Sequence, residues 1–239
     1  MLFFYVRHGD PTYHPDQLTP LGHRQAESVA KRLALFGLDE IYVSSSTRAQ
    51  ETARPTCELL KKDVTVLDWT NESHAWDQLA VVDDDGVRRW ADVSHRYHGL
   101  LAGRDMRDLG DGWRRHPGLA GTTIVEGYDR IERETYAFLA TLGYAYDPET
   151  DGYRVADPTD GKRVALFAHA GFGGAFLSCL LGIPYPRFVT RFAMGLTGVT
   201  VIHFDPRMDP CVPSLLTFSN DGHLFRDGLP LRDKRDFSF

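Results

Sequence analysis

An arginine and a histidine, Arg7 and His8, stand between an apolar run, Leu2 to Val6, and a glycine, Gly9. Arginine offers a permanently charged planar fork that meets phosphate oxygens two at a time. Histidine is largely neutral near pH 7, so one ring nitrogen keeps a lone pair that can attack phosphorus. Glycine lets the backbone turn sharply and approach a ligand closely. A strand that ends on these three residues suits phosphate chemistry, although one tripeptide carries little weight by itself. Two further junctions add to it. The apolar run Arg163 to Ala168 ends at His169-Ala170-Gly171, and Ser44-Ser45-Ser46 leads into a helix that carries Arg48.

The elements that must position these groups follow from the pattern around them. Leu2–Val6, Glu40–Val43, Val64–Leu67 and Arg163–Ala168 read as strands. Thr19-Pro20 opens a helix with a hydroxyl cap and a proline in the first turn. That helix runs through Val29, Leu33 and Phe36 to Gly37. A second helix follows the serines, with Pro55 expected to kink or shorten it. Ile131, Thr135, Phe138 and Leu142 place a helix over Val125 to Leu142. Tyr144 to Lys162 reads as a turn-rich surface excursion and Gly173 to Leu181 as a helix. Gly198–Phe204 and Ser214–Phe218 are the last strands, and the charged tail from Asp227 is expected to be poorly ordered. The alternation predicts a three-layer α/β/α sandwich around a mostly parallel sheet. Ligands bind such sheets at the carboxyl ends of the strands. If the three junctions share that edge, two arginines and two histidines converge.

The 239 residues suit one α/β domain with an insertion at about 73–123. That stretch lacks clear periodicity and is rich in Trp, Asp, His and Gly, including Trp76, Trp90, Trp113 and the Asp83–Asp85 run. It is expected to lie over one end of the sheet with one or two short helices. His95, His98 and Asp92 lack a fourth ligand in register, so a solvated helix face is expected there rather than a metal. The net charge of −6 argues against a general nucleic-acid binder. No apolar stretch reaches membrane-span length, and the N-terminal run is too short and lacks the basic flank of a signal peptide. Cys57, Cys179 and Cys211 have no metal-type spacing, and reduced thiols in a cytoplasmic protein are expected.

Three blocks together are specific: Val6-Arg7-His8-Gly9-Asp10, then Val43 through Ala53, then Leu166 through Gly171. In order and spacing they resemble the histidine phosphatase superfamily, in its phosphoglycerate-mutase-like branch. Leu18-Thr19-Pro20-Leu21-Gly22, Glu126-Gly127 and Ser219 through Leu224 support the resemblance. It implies that His8 is a nucleophile forming a phosphohistidine that water hydrolyses. Arg7, Arg48 and His169 would surround the phosphoryl oxygens, since phosphoryl transfer asks mainly for positioning and charge stabilisation. Glu72 stands in the register of a family glutamate that would protonate the leaving alkoxide, with Asp10 and Asp83–Asp85 as alternatives. No metal or other cofactor is required in this scheme.

Some positions depart from the family pattern. Asp10 stands where a glutamate is common, and His14 occupies the register of an asparagine that helps bind phosphate, so either His14 touches the substrate or the loop, which looks shortened, takes another path. A glycine-rich, tryptophan-containing segment of the mutases is missing. Hydrolysis of a small phosphorylated substrate is therefore expected, ahead of transfer to a second hydroxyl. A non-catalytic phospho-ligand or protein-binding module would not need His8. Action on a phosphorylated protein would be favoured by an open pocket under the insertion. Specificity is expected to reside in the 10–18 loop and in the insertion. There Arg88, Arg89, Arg96, Arg104, Arg107, Arg114 and Arg115 could serve a polyanionic leaving group.

Overall fold

Period-two alternation in strand β1 (Leu2–Arg7) sends Phe3 and Tyr5 to one side and Phe4 and Val6 to the other, and all four are buried. A strand buried on both faces needs cover on both. The computed structural model describes residues 1–230 and supplies that cover. A short hairpin, β2 (Pro11–Tyr13) and β3 (Asp16–Leu18), follows β1 and leads to α1 (Pro20–Phe36). Next come β4 (Glu40–Ser44), α2 (Thr47–Leu60), β5 (Thr65–Leu67) and α3 (Glu72–Leu79). The insertion continues with the β6 (Ala80–Val82) and β7 (Arg88–Trp90) hairpin, then α4 (His95–Ala102) and α5 (Arg104–Asp108). After two short 3₁₀ turns the chain forms α6 (Ile124–Thr141) and a hairpin of β8 (Tyr144–Asp147) and β9 (Gly152–Val155). Strand β10 (Arg163–Ala168), α7 (Ala170–Leu180) and α8 (Tyr185–Val189) precede β11 (Val199–His203), β12 (Ser214–Asn220) and α9 (Gly222–Arg226).

The central sheet has the order β12-β11-β1-β10-β4-β5. The β1, β10, β4 and β5 strands run parallel, and β11 and β12 close one side antiparallel. Val29 and Leu33 of α1 with Ala49 and Ala53 of α2 cover the face bearing Phe4, Val6, Ile41, Val43 and Phe167. Leu79 of α3, Ile131 and Phe138 of α6, and Phe172 and Phe176 of α7 join Phe3, Tyr5 and Leu166 on the other face. The result is the three-layer sandwich with a mostly parallel sheet.

Four local expectations need correction. Helix α2 is not shortened at Pro55, because it continues to Leu60. Proline forfeits one backbone hydrogen bond, but Ala49, Thr52, Ala53 and Thr56 form a buried face that holds the helix in place. The segment after Gly143 is not all turn, because it forms the β8–β9 hairpin. Tyr146 stacks on Tyr136 of α6 with ring centroids 3.9 Å apart, and Tyr153 is buried, so aromatic burial holds the two strands. Helix α7 starts at Ala170, ahead of Gly171, Gly173 and Gly174, which are poor helix formers. Close approach accounts for two of these glycines: a Cβ on Gly173 would lie 2.5 Å from the Tyr5 hydroxyl, and on Gly174 2.8 Å from Val189 Cγ1. The insertion carries more structure than one or two helices. Trp113 anchors it, packing at 5.2 Å on Tyr128 and 5.7 Å on Tyr185, so the insertion shares the core of the sheet face it covers.

His95 and His98 are exposed on α4. All three cysteines are free thiols, and no helix among the described residues is long and apolar enough to cross a membrane. Of the tail, Asp227 pairs with Arg226 at 2.8 Å, and residues from 231 onward lie outside the described ones.

His223 of α9 is buried, with its Nε2 3.0 Å from Thr197 Oγ1, while its carbonyl accepts from Ser28 Oγ of α1 at 2.9 Å. Burial, with Arg32 and Arg226 nearby, lowers its pKa from 6.5 to about 4. The fold therefore favours the neutral ring, whereas the unfolded chain takes up a proton below pH 6.5. This contribution is complete above pH 6.5 and drains away as pH falls toward 4, reaching about 3 kcal/mol. We expect the melting temperature to fall over that window, and to fall less steeply in His223→Gln; an identical pH slope in both proteins would refute the assignment.

Candidate active site

Arg7 pairs with Ala168 across β1 and β10, so His8 and His169 leave neighbouring parallel strands at the same level. The His8 amide donates to the Ala168 carbonyl at 2.9 Å, and the two imidazole centroids are 5.3 Å apart. Gly9 then turns the chain under α1 and α2. Its amide donates to Thr52 Oγ1 of α2 at 3.0 Å, and a Cβ there would lie 2.8 Å from the Gly22 carbonyl oxygen of α1. Glycine is required because the helix backbone occupies the space of a side chain.

His8 is held in one chemical form. Its Nδ1 lies 2.7 Å from the Gly9 carbonyl oxygen, which can only accept, so Nδ1 carries the proton and Nε2 keeps the lone pair. The residue is 1% exposed. Burial pushes its pKa well below 6.5, the neighbouring Arg7, His169 and Arg48 push the same way, and Glu72 opposes them. A neutral imidazole with an Nε2 lone pair has the form that a nucleophile needs.

Around it stand two guanidiniums. Arg7 is buried and donates to the Met194 carbonyl. Arg48, the second residue of α2, donates through Nη2 to His169 Nδ1 at 3.0 Å and to Glu72 Oε2 at 3.3 Å. A guanidinium never accepts, so His169 Nδ1 must offer a lone pair, and the His169 proton sits on Nε2. That nitrogen faces Ser44 Oγ at 2.8 Å and Ser46 Oγ at 3.3 Å. The serine-rich turn thus orients His169 while it starts the helix of Arg48.

Glu72 is the first residue of α3, whose cap is Asn71 accepting from the Ser73 amide. Its Oε1 accepts from the Gly171 amide at 2.7 Å and its Oε2 is 3.5 Å from His169 Nδ1. A Cβ on Gly171 would lie 2.8 Å from Glu72 Oε1 and 2.4 Å from the Trp90 ring, so glycine there admits both the carboxylate and the indole. Arg7, His8, Arg48, Glu72 and His169 therefore converge at the carboxyl ends of β1, β10 and β4.

His14 lies elsewhere, exposed at the tip of the β2–β3 hairpin. Its hairpin neighbours reach the site instead. Asp16 Oδ1 is 2.6 Å from Arg48 Nη1, Asp16 Oδ2 accepts from the Thr47 amide at 2.9 Å, and the Tyr13 ring lies 5.3 Å from the Arg48 guanidinium carbon. Asp10 accepts from the Thr19 hydroxyl at 2.6 Å, and Asp83 caps α4 through the His95 and Arg96 amides. No sequence signal separates Asp16 from any loop aspartate, because only the hairpin turn aims it at Arg48. Ser44 and Ser46 carried a signal in their serine-rich turn.

His8, Glu72 and His169 place ligand-type atoms within 4.8 Å of one another, a grouping that could hold a cation. Arg7 ends β1 next to His8, and Arg48 Nη2 lies 3.0 Å from His169 Nδ1, so both guanidiniums stand beside the same group of residues. Two fixed positive charges there favour an anion over a metal ion. Phosphate fits: its oxygens can take donors from both guanidiniums, with His8 Nε2 facing phosphorus.

Residues 3–111 match the model of the histidine phosphatase superfamily (branch 1), so that part of the chain is of this superfamily. No curated protein matches the chain by sequence. Among solved structures, phosphoserine phosphatase from Entamoeba histolytica in complex with 3-phosphoglyceric acid is similar at TM-score 0.61 and 19% identity, covering 93% of this chain and 98% of that one. The mycobacterial glucosyl-3-phosphoglycerate phosphatase is similar at TM-score 0.57 and 22% identity, covering 91% and 98%. Its complex with inorganic phosphate is similar at 0.58 and 23%, covering 93% and 98%. At these identities the likeness establishes the phosphoglycerate-mutase-like fold.

Anion affinity tests the electrostatics directly. By calorimetry, Arg48→Met is expected to weaken binding of inorganic phosphate by roughly 10–100-fold, the range of one charge-assisted contact. Asp16→Asn removes a negative charge beside Arg48 and is expected to tighten it by about threefold or more. Weaker binding in Asp16→Asn would show that Asp16 chiefly positions Arg48.

Proposed function

We propose that this chain, of the histidine phosphatase superfamily over residues 3–111, is a metal-independent phosphatase. In this reading it hydrolyses a small phosphomonoester through a phosphohistidine on His8. The observation that carries the reading is the His8 ring itself. Nδ1 is fixed on the Gly9 carbonyl, burial keeps the ring neutral, and Arg7, Arg48 and His169 surround it. A binding module has no use for a neutral, aimed nucleophile.

The chemistry proceeds in two displacements. In the first, the His8 Nε2 lone pair forms a bond to phosphorus as the ester P–O bond breaks. Arg7 and Arg48 neutralise the phosphoryl oxygens, and Glu72 in its protonated form gives its proton to the departing alkoxide. In the second, the Glu72 carboxylate takes a proton from water while the water oxygen attacks phosphorus. The P–N bond breaks, inorganic phosphate leaves and His8 is restored. Glu72 stands beside His169 and Arg48 as the carboxylate the second step needs, and the negative charge of the bound phosphoryl group is what would favour its protonated form in the first. The names of the structural neighbours, phosphoserine phosphatase and glucosyl-3-phosphoglycerate phosphatase, support phosphatase chemistry. A mutase shares the first displacement and differs in passing the phosphoryl group to a second hydroxyl.

The test is phosphate release from a small aryl phosphate in excess EDTA. Wild type is expected to retain turnover, and His8→Ala to lose roughly 10³-fold or more, as removal of a nucleophile does. Glu72→Gln should slow alkyl esters far more than aryl esters, whose leaving groups need no proton. Dependence on added metal, or turnover surviving in His8→Ala, would contradict the mechanism.

A further inference from the structure

Tyr13 closes β2, and the centre of its ring lies 5.3 Å from the Arg48 guanidinium carbon. At that range the ring face attracts the guanidinium and stays beside it. Among the described residues the Tyr13 hydroxyl makes no hydrogen bond, so its proton is available to a ligand. Resting on the phosphatase reading, we propose that the Tyr13 hydroxyl donates a hydrogen bond to the phosphoryl group held at His8. Tyr13 is then a substrate-contacting residue, in the part that its neighbour His14 is too far out on the hairpin tip to play.

The hairpin is tied down as this role requires. Asp16 meets Arg48 Nη1 at 2.6 Å and the Thr47 amide at 2.9 Å, and Glu51 of α2 accepts from the Leu18 amide at 2.7 Å. Both ends of β3 are thereby fixed to α2. Thr12 Oγ1 donates across the turn to the Pro15 carbonyl at 2.7 Å. A donor on a loop held in this way loses little freedom when a ligand arrives.

The surroundings of the hydroxyl support the placement. More than half of the residue is exposed, yet burial at its phenol end raises the pKa above 10. The charges it feels are, in falling order, Glu72, Arg7, Arg48 and Asp10. Glu72 comes from α3, Arg7 from β1 and Arg48 from α2, so a hydroxyl that senses all three stands toward the space they share. With the pKa raised, the phenol keeps its proton at neutral pH and remains a donor.

A neutral donor is useful at this place. Arg48 already directs hydrogens to Asp16, His169 and Glu72, and Arg7 directs one to the Met194 carbonyl. Arginines of the insertion have other partners. Arg88 donates to the Trp76 and Asp77 carbonyls, Arg89 forks onto Asp85 with two 2.6 Å contacts, and Arg114 bridges Asp129 and Glu132 at 2.8 and 2.7 Å. The phenol adds a contact to a phosphoryl oxygen without adding charge.

The experiment is calorimetry with inorganic phosphate on wild type, Tyr13→Phe, Tyr13→Leu and His14→Ala. Phenylalanine keeps the ring beside Arg48 and removes only the hydroxyl. The site of change is exposed, and equal melting temperatures verify that the variants fold. Tyr13→Phe is expected to weaken phosphate about tenfold or more, the scale of a hydrogen bond to a charged acceptor. The same variant should lose a similar factor in kcat/KM for a small aryl phosphate, and His14→Ala should change neither quantity. Wild-type affinity in Tyr13→Phe would overturn the inference; a loss confined to Tyr13→Leu would mean that the ring only positions Arg48. Equal losses in Tyr13→Phe and His14→Ala, or a wild type that does not bind inorganic phosphate, would overturn it as well. Weaker phosphate binding in Tyr13→Phe alongside a wild type that turns over no ester would uphold the contact while removing the phosphatase reading.

Discussion

The parallel register between β1 and β10 is the constraint on which the rest of the site depends. Because Arg7 opposes Ala168, the next residue of each strand is a histidine, and the two rings emerge side by side. A slip of one residue would turn one ring to the opposite face of the sheet. The alternating burial of Phe3, Phe4, Tyr5 and Val6 forbids that slip, since it would exchange the two core faces. Tyr5 adds a direct tie: its hydroxyl donates to the His169 carbonyl and accepts from the His169 amide at 3.2 Å. The residues that make the core also fix the spacing of the polar groups beyond it.

Many of those polar groups pair with one another. Arg48 meets Asp16, Glu72 and His169, and Glu72 in turn meets Gly171. Buried charges cost several kcal/mol each unless they are paired, and pairing of this kind keeps Arg48 and Glu72 in fixed positions. In the proposed function the same arrangement would serve an incoming phosphate, because its donors and charges already point to one place and little reorganisation is needed. Gly9 and Gly171 make room for this crowding, one against α1 and the other against Trp90 and Glu72. The insertion that carries the indole is anchored on the core through Trp113.

Much of this was legible in the sequence, and the reasons differ by residue. Arg7, His8, Arg48 and His169 were legible because each follows an apolar strand, and parallel strands present their carboxyl ends together. Glu72 was found by register alone, and its place at the start of α3 had no local signal beyond the Asn71 cap. Asp16 and Tyr13 were missed because a two-strand hairpin sets their direction, and loop aspartates look alike in sequence. The β8–β9 hairpin hid among turn residues because its stability comes from Tyr136, far away in the chain. Glycines masked the start of α7, since their reason for being there is the proximity of Tyr5, Glu72, Trp90 and Val189 rather than local propensity. The role of the insertion was the least legible part, because its arginines read as a binding surface until their partners are seen.

The central claim is that His8 Nε2 takes the phosphoryl group. Rapid mixing with a ³²P-labelled phosphomonoester, an alkaline quench and peptide mapping test it most directly. The account predicts a base-stable, acid-labile label in the peptide containing His8, attached at Nε2 rather than Nδ1, because Nδ1 is tied to the Gly9 carbonyl. Turnover without a labelled histidine, or a label at Nδ1 or on another residue, would contradict it.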